Sequence, residues 1–371
     1  MKTGWVTKRL GEVCEEIRER IASANILPRQ YVGTENMLKD CAGIVDSESV
    51  PKDVGLVHYQ NGDILLSNIR PYLKKSWLSD REGGCSSDVI VFRPSTSVAG
   101  EYLWRVLSQD SFFDYSMLKV GGAKMPRGDR NWIKAFEFSY PDSLAEQKRI
   151  VAKIDAAFEK IDKLKANAER NLANAKELFQ SALDEAMRPK PGWVEKRLPE
   201  ISKNLDSKRI PITKANRKPG MIPYYGASGV VDYVEDYIFD GEYLLVSEDG
   251  GNLEMRTYPI AFSIEGKNWV NNHAHVIRFD SKELQSFVQF YLNSISLKGY
   301  ITGAAQPKLT QENLNKIPIP MPENGDVKCV VERLKFLQDD VVKLQSNYTR
   351  LIADCAEMRQ AVLKEAFEGR L

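Results

Sequence analysis

Residues 327–367 read VKCVVERLKFLQDDVVKLQSNYTRLIADCAEMRQAVLKEAF, and this stretch decides the fold. Val330, Leu334, Leu337, Val341, Leu344, Tyr348, Leu351, Cys355, Met358 and Val362 alternate spacings of four and three. That heptad seam predicts a long coiled-coil helix. A shift back by 180 residues, from Lys328 to Lys148, finds a second copy in register. There Ile150, Ile154, Ala157, Ile161, Leu164, Ala168, Ala175, Leu178 and Ala182 fall on the seam. Off the seam, Asn167 matches Asn347, Arg170 matches Arg350, Glu177 matches Glu357 and Gln180 matches Gln360. Chance periodicity would repeat the apolar positions alone, so these identities mark a duplicated unit.

The duplication extends outward from the helices. Gly4-Trp5-Val6-Thr7-Lys8-Arg9-Leu10 returns as Gly192-Trp193-Val194-Glu195-Lys196-Arg197-Leu198. The order is then a module (1–143), a long helix (144–188), a second module (189–326) and a second long helix (327–371). Each module is α+β. Asp63–Ser67 and Glu242–Ser247 read as strands entered from glycine turns, and Val89–Arg93 and His275–Phe279 as short apolar strands. Amphipathic helices at 100–107 and 281–292 follow. Each module then has a glycine-containing basic loop (Gly121–Arg127, Gly303–Lys308) and a closing strand with proline (Phe136–Pro141, Ile317–Pro322). Pro189 and Pro191 end the first helix, and Pro322–Asp326 precedes the second.

About 40 helical residues span roughly 60 Å. A parallel pair would oblige the second module to bridge that distance, so short connections favour an antiparallel pair related by a pseudo-two-fold axis. Alanines on the first seam face Leu, Met and Tyr on the second. The competing arrangement pairs each helix with another chain.

Composition bounds the function. At 371 residues, 43% hydrophobic and 28% charged, the chain is globular and long enough for two cores. No apolar run suits a membrane span, and five scattered cysteines fit a reduced, cytoplasmic setting. A net charge of +1 leaves any nucleic-acid affinity to local patches. Catalytic motifs are missing: no phosphate loop, no paired-histidine zinc motif and no Asn-Pro-Pro-Tyr. Pro141-Asp142 with Glu146-Gln147-Lys148 superficially resembles a nuclease pattern, but Glu146 falls in a helix's first turn, where Ser143 and Glu146 read as a capping box. His273 and His275, two apart, would share one face of a strand; no third metal ligand accompanies them, so no metal site is assigned.

Two sets of basic and aromatic residues remain as DNA contacts. In the first module they are Arg70, Tyr72, Lys74 and Lys75 after one strand, and Lys124, Arg127, Arg130 and Trp132 in and after the glycine loop. In the second they are Lys208, Arg209, Lys214, Arg217, Lys218 and Tyr224, then Asn252, Arg256, His273, Gln306 and Lys308. Glycine lets backbone approach a phosphate, and arginine can grip guanine with two hydrogen bonds.

The module–helix–module–helix order, Leu144-Ala145-Glu146-Gln147-Lys148-Arg149-Ile150-Val151, the two Gly-Trp phrases and Lys124-Met125-Pro126-Arg127 together resemble the specificity subunit of type I restriction–modification enzymes. The resemblance implies two target-recognition domains, each reading half of a split, asymmetric site in double-stranded DNA. It implies that the helices fix the spacer and dock two methyltransferase subunits, which restriction/translocase subunits join. S-adenosylmethionine, ATP and Mg would serve those partners, leaving this chain non-catalytic. Val327-Lys328-Cys329 departs from Gln147-Lys148-Arg149 at the start of the second helix. The rival reading is a coiled-coil scaffold that binds proteins, and steep salt dependence of DNA binding would separate the two.

Overall fold

The computed structural model describes residues 4–122, 124–303, 306–322 and 326–371. Ala123, Ala304 and Ala305 of the glycine loops, and Glu323-Asn324-Gly325 before the second long helix, lie outside the described residues. The chain divides into two units, Met1–Glu169 with Arg350–Leu371, and Arg170–Thr349. Each therefore holds one module and parts of both long helices, which run Leu144–Met187 and Asp326–Phe367.

In the first unit, strands Cys14–Ile17, Val89–Pro94, Ile64–Ser67 and Ser76–Leu78 form an antiparallel sheet in that order. Its inner strands are buried on both faces. Ile64, Leu66, Ile90 and Phe92 point to one side, against Tyr102 and Leu103 of the helix Gly100–Leu107 and Ile150, Ile154 and Phe158 of the long helix. Leu65, Val89 and Val91 point to the other, beside Trp77 of the same sheet and against Val57 and Tyr59 of the next. The alternation follows from the period-two geometry of strands. A second sheet orders Arg20–Ala22, Gly55–Tyr59, Gly83–Cys85 and Tyr31–Val32.

The second unit repeats the first sheet. Lys203–Asn204, Ala274–Arg278, Tyr243–Ser247 and Ala261–Ile264 stand in the same order, again antiparallel. Leu244, Val246 and Ile277 meet Phe287 and Val288 of the helix Lys282–Ser294, together with Leu183, Met187, Val331 and Leu334 of the long helices. Leu245 and Val276 face Phe239 and Val270. In each module the N-terminal strand pairs with the closing one: Trp5–Arg9 with Glu137–Pro141, and Val194–Lys196 with Ile319–Met321. The internal repeat read from the sequence is thus present in the topology. The second sheets differ between modules: in the second unit the order is Gly229–Val234, Pro219–Gly226, Lys267–Val270, Phe239–Asp240.

The long helices are antiparallel. In the first unit, the start of the first helix shares a core with Cys355, Leu363 and Ala366 near the end of the second. Arg359 Nη1 lies 2.6 Å from Asp162 Oδ1. In the second unit, Leu183 and Met187 at the end of the first helix pack with Val331 and Leu334 at the start of the second. The buried line departs from the predicted seam. Leu164, Leu178, Leu344 and Met358 are exposed, while Phe158, Leu183, Met187, Val331, Leu363 and Ala366 are buried. Two effects account for this. A helix of 3.6 residues per turn drifts off a seven-residue repeat, and near its ends each helix also covers a module, which moves and widens the buried face. Burial still recurs every seventh residue at Ile161, Ala168 and Ala175 and at Leu334 and Val341.

The first helix is locked to its module by Gln147, which is fully buried. Its Oε1 accepts from the Ala99 N–H (2.7 Å), and its Nε2 donates to the carbonyls of Pro141 (2.8 Å) and Ser97 (3.2 Å). Ser143 caps the same helix, its Oγ accepting from the Glu146 N–H at 3.4 Å. Glu146 itself is gripped by Arg149 at 2.6–2.7 Å.

Candidate nucleic-acid interface

The two glycine loops dock in the same way, each just beyond the end of one inner strand, Ile64–Ser67 in the first module and Tyr243–Ser247 in the second. In the first module, Arg70 N–H donates to the Pro126 carbonyl (2.7 Å) and Gly128 N–H to that of Asn68 (3.1 Å), and Ile69 is bridged to Arg127. In the second, Gly250 N–H donates to the Pro307 carbonyl (3.0 Å) and Leu309 N–H to that of Glu248 (2.7 Å), and Asp249 is bridged to Lys308. Gly122 and Gly303, at φ 91° and 88°, turn the two loops through a conformation that favours glycine. Arg127 and Lys308 thus occupy one structural position in two modules, and both are exposed.

Around Arg127 the surface carries Arg70, Tyr72 and Lys124, all exposed. Arg70 (φ 51°) and Lys74 (φ 50°) sit in the left-handed region on either side of the turn Pro71–Leu73. Such non-glycine positions concentrate at functional sites. Lys74 and Lys75 are drawn inward: Lys74 Nζ reaches Asp110 Oδ1 (2.6 Å), and Lys75 Nζ donates to the Thr34 carbonyl (2.7 Å). Arg130 Nη1 lies 2.7 Å from Glu16 Oε1, and its Nη2 donates to the Ser87 carbonyl. Trp132 stacks on Tyr115 at 4.7 Å, donates its indole N–H to the Tyr115 carbonyl and carries Lys119 Nζ over its ring at 4.6 Å. Arg130 and Trp132 thus pack at the base of the loop rather than at its surface.

Glu16 is the anchor of that base. Burial alone would raise its carboxyl, but hydrogen bonds from Arg18, Arg130 and Lys134 outweigh it and hold the value at about 2. The folded value lies below the ordinary 4.5, so the stabilisation is complete above that pH and is lost as pH falls toward 2. Glu16→Gln is expected to lower the stability of the first unit by about 2 kcal/mol at neutral pH, with most of the difference gone near pH 2, as read from thermal melts across pH. An unchanged melt at pH 7 would show that the cluster contributes nothing net.

In the second module, Gln306 and Lys308 are exposed on the loop, and His273 is half-exposed beside them with its Nδ1 2.8 Å from Asp249 Oδ2. His273 and His275 do not share a face. The strand begins only at Ala274, which leaves His273 in the preceding turn, while the His275 side chain is 1% exposed. His275 Nδ1 meets Asp206 Oδ2 at 2.6 Å and Nε2 faces the Leu309 carbonyl at 2.8 Å. Each ring nitrogen thus faces an oxygen of the module. Arg209 bridges the acids, at 2.6 Å from Glu248 and 3.5 Å from Asp206, and donates to the Ala274 carbonyl. Lys308 Nζ closes the cluster, 3.1 Å from Glu248 Oε1. Burial would raise both carboxyls; the hydrogen bonds of His275 to Asp206 and of Arg209 to Glu248 outweigh it and hold both below the usual range.

Asp206, Glu248 and His275 offer atoms within 4.8 Å of one another, a spacing that could suit a metal ion. Their charge is already met by Arg209 and Lys308, so an ion would have to displace the chain's own cations. Spacing did not reveal this cluster, because its acids lie far from His275 in the chain.

The remaining predicted residues divide by exposure. Lys208, Lys214 and Lys218 are exposed. Arg217 is held by Asp232 (3.0 Å) over the Tyr224 ring (4.2 Å), and Tyr224 is buried. Asn252 pairs with both backbone groups of Tyr258, and Arg256 donates to the Ile295 and Leu292 carbonyls beyond and at the end of a helix.

Residues 190–353 match the model of the type I restriction modification DNA specificity domain. This is the family read from the sequence. A putative type I restriction enzyme specificity subunit from Haemophilus influenzae, S.HindORF215P, is 34% identical over 159 residues, 43% of this chain and 38% of that protein. The EcoDI specificity subunit of Escherichia coli is 26% identical over 130 residues, 35% of this chain and 29% of that protein. These alignments thus span well under half of either curated relative. Likeness of fold extends over the whole chain. A solved chain from a study of assembly and conformational transition of the type I R-M system superposes with TM-score 0.81 at 20% identity, over 100% of this chain and 99% of that one. The HsdS subunit of Thermoanaerobacter tengcongensis gives 0.66 at 21% identity, over 100% and 98%. Among the described residues no helix is long and apolar enough to cross a membrane.

Proposed function

We propose that this chain is the DNA-recognition subunit of a type I restriction–modification system. Each module reads one half of a bipartite, asymmetric site through its glycine loop and the adjoining strand end. The long helices set the spacer and dock two methyltransferase subunits, and the complex recruits restriction/translocase subunits. S-adenosylmethionine, ATP and Mg belong to those partners, and this chain performs no catalysis. The observation that carries the reading is the repeated docking of a glycine loop that presents a cation, Arg127 or Lys308, at the same position of two otherwise divergent modules.

The test is to co-express the chain with its methyltransferase and map the methylated motif by sequencing, before and after residues 1–143 are replaced by the corresponding module of another specificity subunit. One half of the motif is expected to change and the other to persist. A change in both halves would end the idea of independent reading. Absence of sequence-specific methylation with either chain would end the DNA reading.

A further inference from the structure

Arg127 and Lys308 are both cations held by a carboxylate of their own module. Arg127 Nε is 3.1 Å from Asp88 Oδ1, with Nη2 3.4 Å from Oδ2. Lys308 Nζ is 3.1 Å from Glu248 Oε1. The two carboxylates do not come from equivalent positions. Asp88 immediately precedes the strand Val89–Pro94, and its carbonyl accepts from Asn68 N–H; the residue so placed in the second module is His273, whose carbonyl accepts from Glu248 N–H. The acid for Lys308 is Glu248 instead, the counterpart of Asn68. The pairing thus recurs in both modules with a different supplier in each. Inheritance from one duplicated ancestor would keep the residue; a requirement for the pairing keeps the contact.

We propose that Asp88 and Glu248 act as internal stand-ins for DNA phosphate: each occupies the loop cation until a correctly seated duplex replaces it. This inference rests on the DNA-recognition reading. Its chemistry is competition. The carboxylate and the phosphate oxygens want the same guanidinium or ammonium hydrogens, so a duplex must offset the loss of an internal pair before it gains the contact. A non-cognate duplex, bound through a few loose phosphate contacts, gains little from the exchange. A cognate duplex, fixed by contacts elsewhere in the module, gains it in full. The carboxylate therefore lowers non-specific affinity more than specific affinity. Asp88 positions Arg127 and touches no DNA itself.

Asp88 gives the cleaner test, because its side chain engages Arg127 at the surface, while Glu248 also holds Arg209. The full-length chain is titrated into a pool of random-sequence duplex at low salt, followed by fluorescence anisotropy. Asp88→Asn is expected to tighten this binding by ~5-fold, the factor equivalent to an exposed ion pair of about 1 kcal/mol. Its salt dependence should steepen by about one phosphate contact. Asp88→Ala should act with the same sign. Asp46→Asn, which removes the same charge from a pair with Arg81 in the same module, should have less than half that effect. Arg127→Ala should abolish the gain when combined with Asp88→Asn. A merely structural carboxylate would weaken binding on removal, so the sign decides. Equal affinities for Asp88→Asn and the parent, equal gains from Asp88→Asn and Asp46→Asn, or a gain that survives Arg127→Ala, would each overturn the proposal. A parent chain that binds no duplex would instead overturn the DNA reading on which it rests.

Discussion

The double variant Arg127→Ala, Lys308→Ala is expected to bind duplex DNA roughly 100-fold more weakly than the parent chain. Each alanine removes one cation from the loop position that the two modules share. A phosphate or base contact of that kind contributes about 1–3 kcal/mol, and the two residues have no partner in common, so their losses should add. The slope of log affinity against log salt should fall by about two contacts, ~0.9 for each. Stability should hardly change, because Arg127 and Lys308 are each about half exposed and exposed pairs contribute little. Glu248 also keeps Arg209 at 2.6 Å after Lys308 is gone. Anisotropy titrations at several salt concentrations, with a thermal melt of each variant, check both halves of the expectation. Affinity within threefold of the parent would remove the loop cations from the interface. A collapse of the melt would make them structural.

Much of the frame was legible because it is written locally. A heptad seam, a repeated Gly-Trp phrase and strands bounded by glycine turns are each visible within a short window. The same local rules missed the second sheets. Strands as short as Tyr31–Val32 or Phe239–Asp240 form only because distant segments supply their neighbours. Burial on the helices was misjudged where a helix meets a module: Leu183 and Met187 are covered by the second module's core, while Leu178, on the nominal seam, is left exposed. In the interface, side-chain type alone could not separate a free cation from a paired one. Arg70 and Arg130 look alike in the sequence, but Arg130 is tied to Glu16 across 114 residues and Arg70 is exposed. Aromatic residues misled in the same way, for Trp132 lies against Tyr115 and Tyr224 is buried under Arg217. The carboxylates that manage these cations, Asp88, Glu16, Glu248 and Asp206, have no spacing signal of their own. They become visible only when the register of the central sheet is known.

His275→Ala is expected to destabilise the second unit by about 3 kcal/mol, the range for removing one member of a buried charged cluster. The substitution deletes the hydrogen bonds to Asp206 (2.6 Å) and to the Leu309 carbonyl (2.8 Å) and leaves a space at a site 1% exposed. Arg209 remains, but at 3.5 Å from Asp206 it is too distant to replace the lost bond. The pH dependence follows from the two acids. Burial opposes their ionisation, and the hydrogen bonds of His275 and Arg209 prevail, so the folded values of Asp206 and Glu248 lie below the ordinary 3.8 and 4.5. Their contribution is therefore complete above those ordinary values and disappears as pH falls through the depressed ones. Without His275, Asp206 keeps the Val276 N–H bond and the nearby charge of Arg209 but loses the largest contact that opposes its burial, so its folded value rises. Acid unfolding of the second unit should then begin at a higher pH than in the parent chain. Since Leu309 directly follows Lys308, the loop should also lose one of the contacts that hold it, beside the backbone bonds that remain, and DNA affinity should fall even where the unit stays folded. Melts from pH 3 to 8 and a binding titration at pH 7 test these statements together; a variant with the parent's melting temperature and acid transition would mean that the cluster neither holds the loop nor stabilises the module.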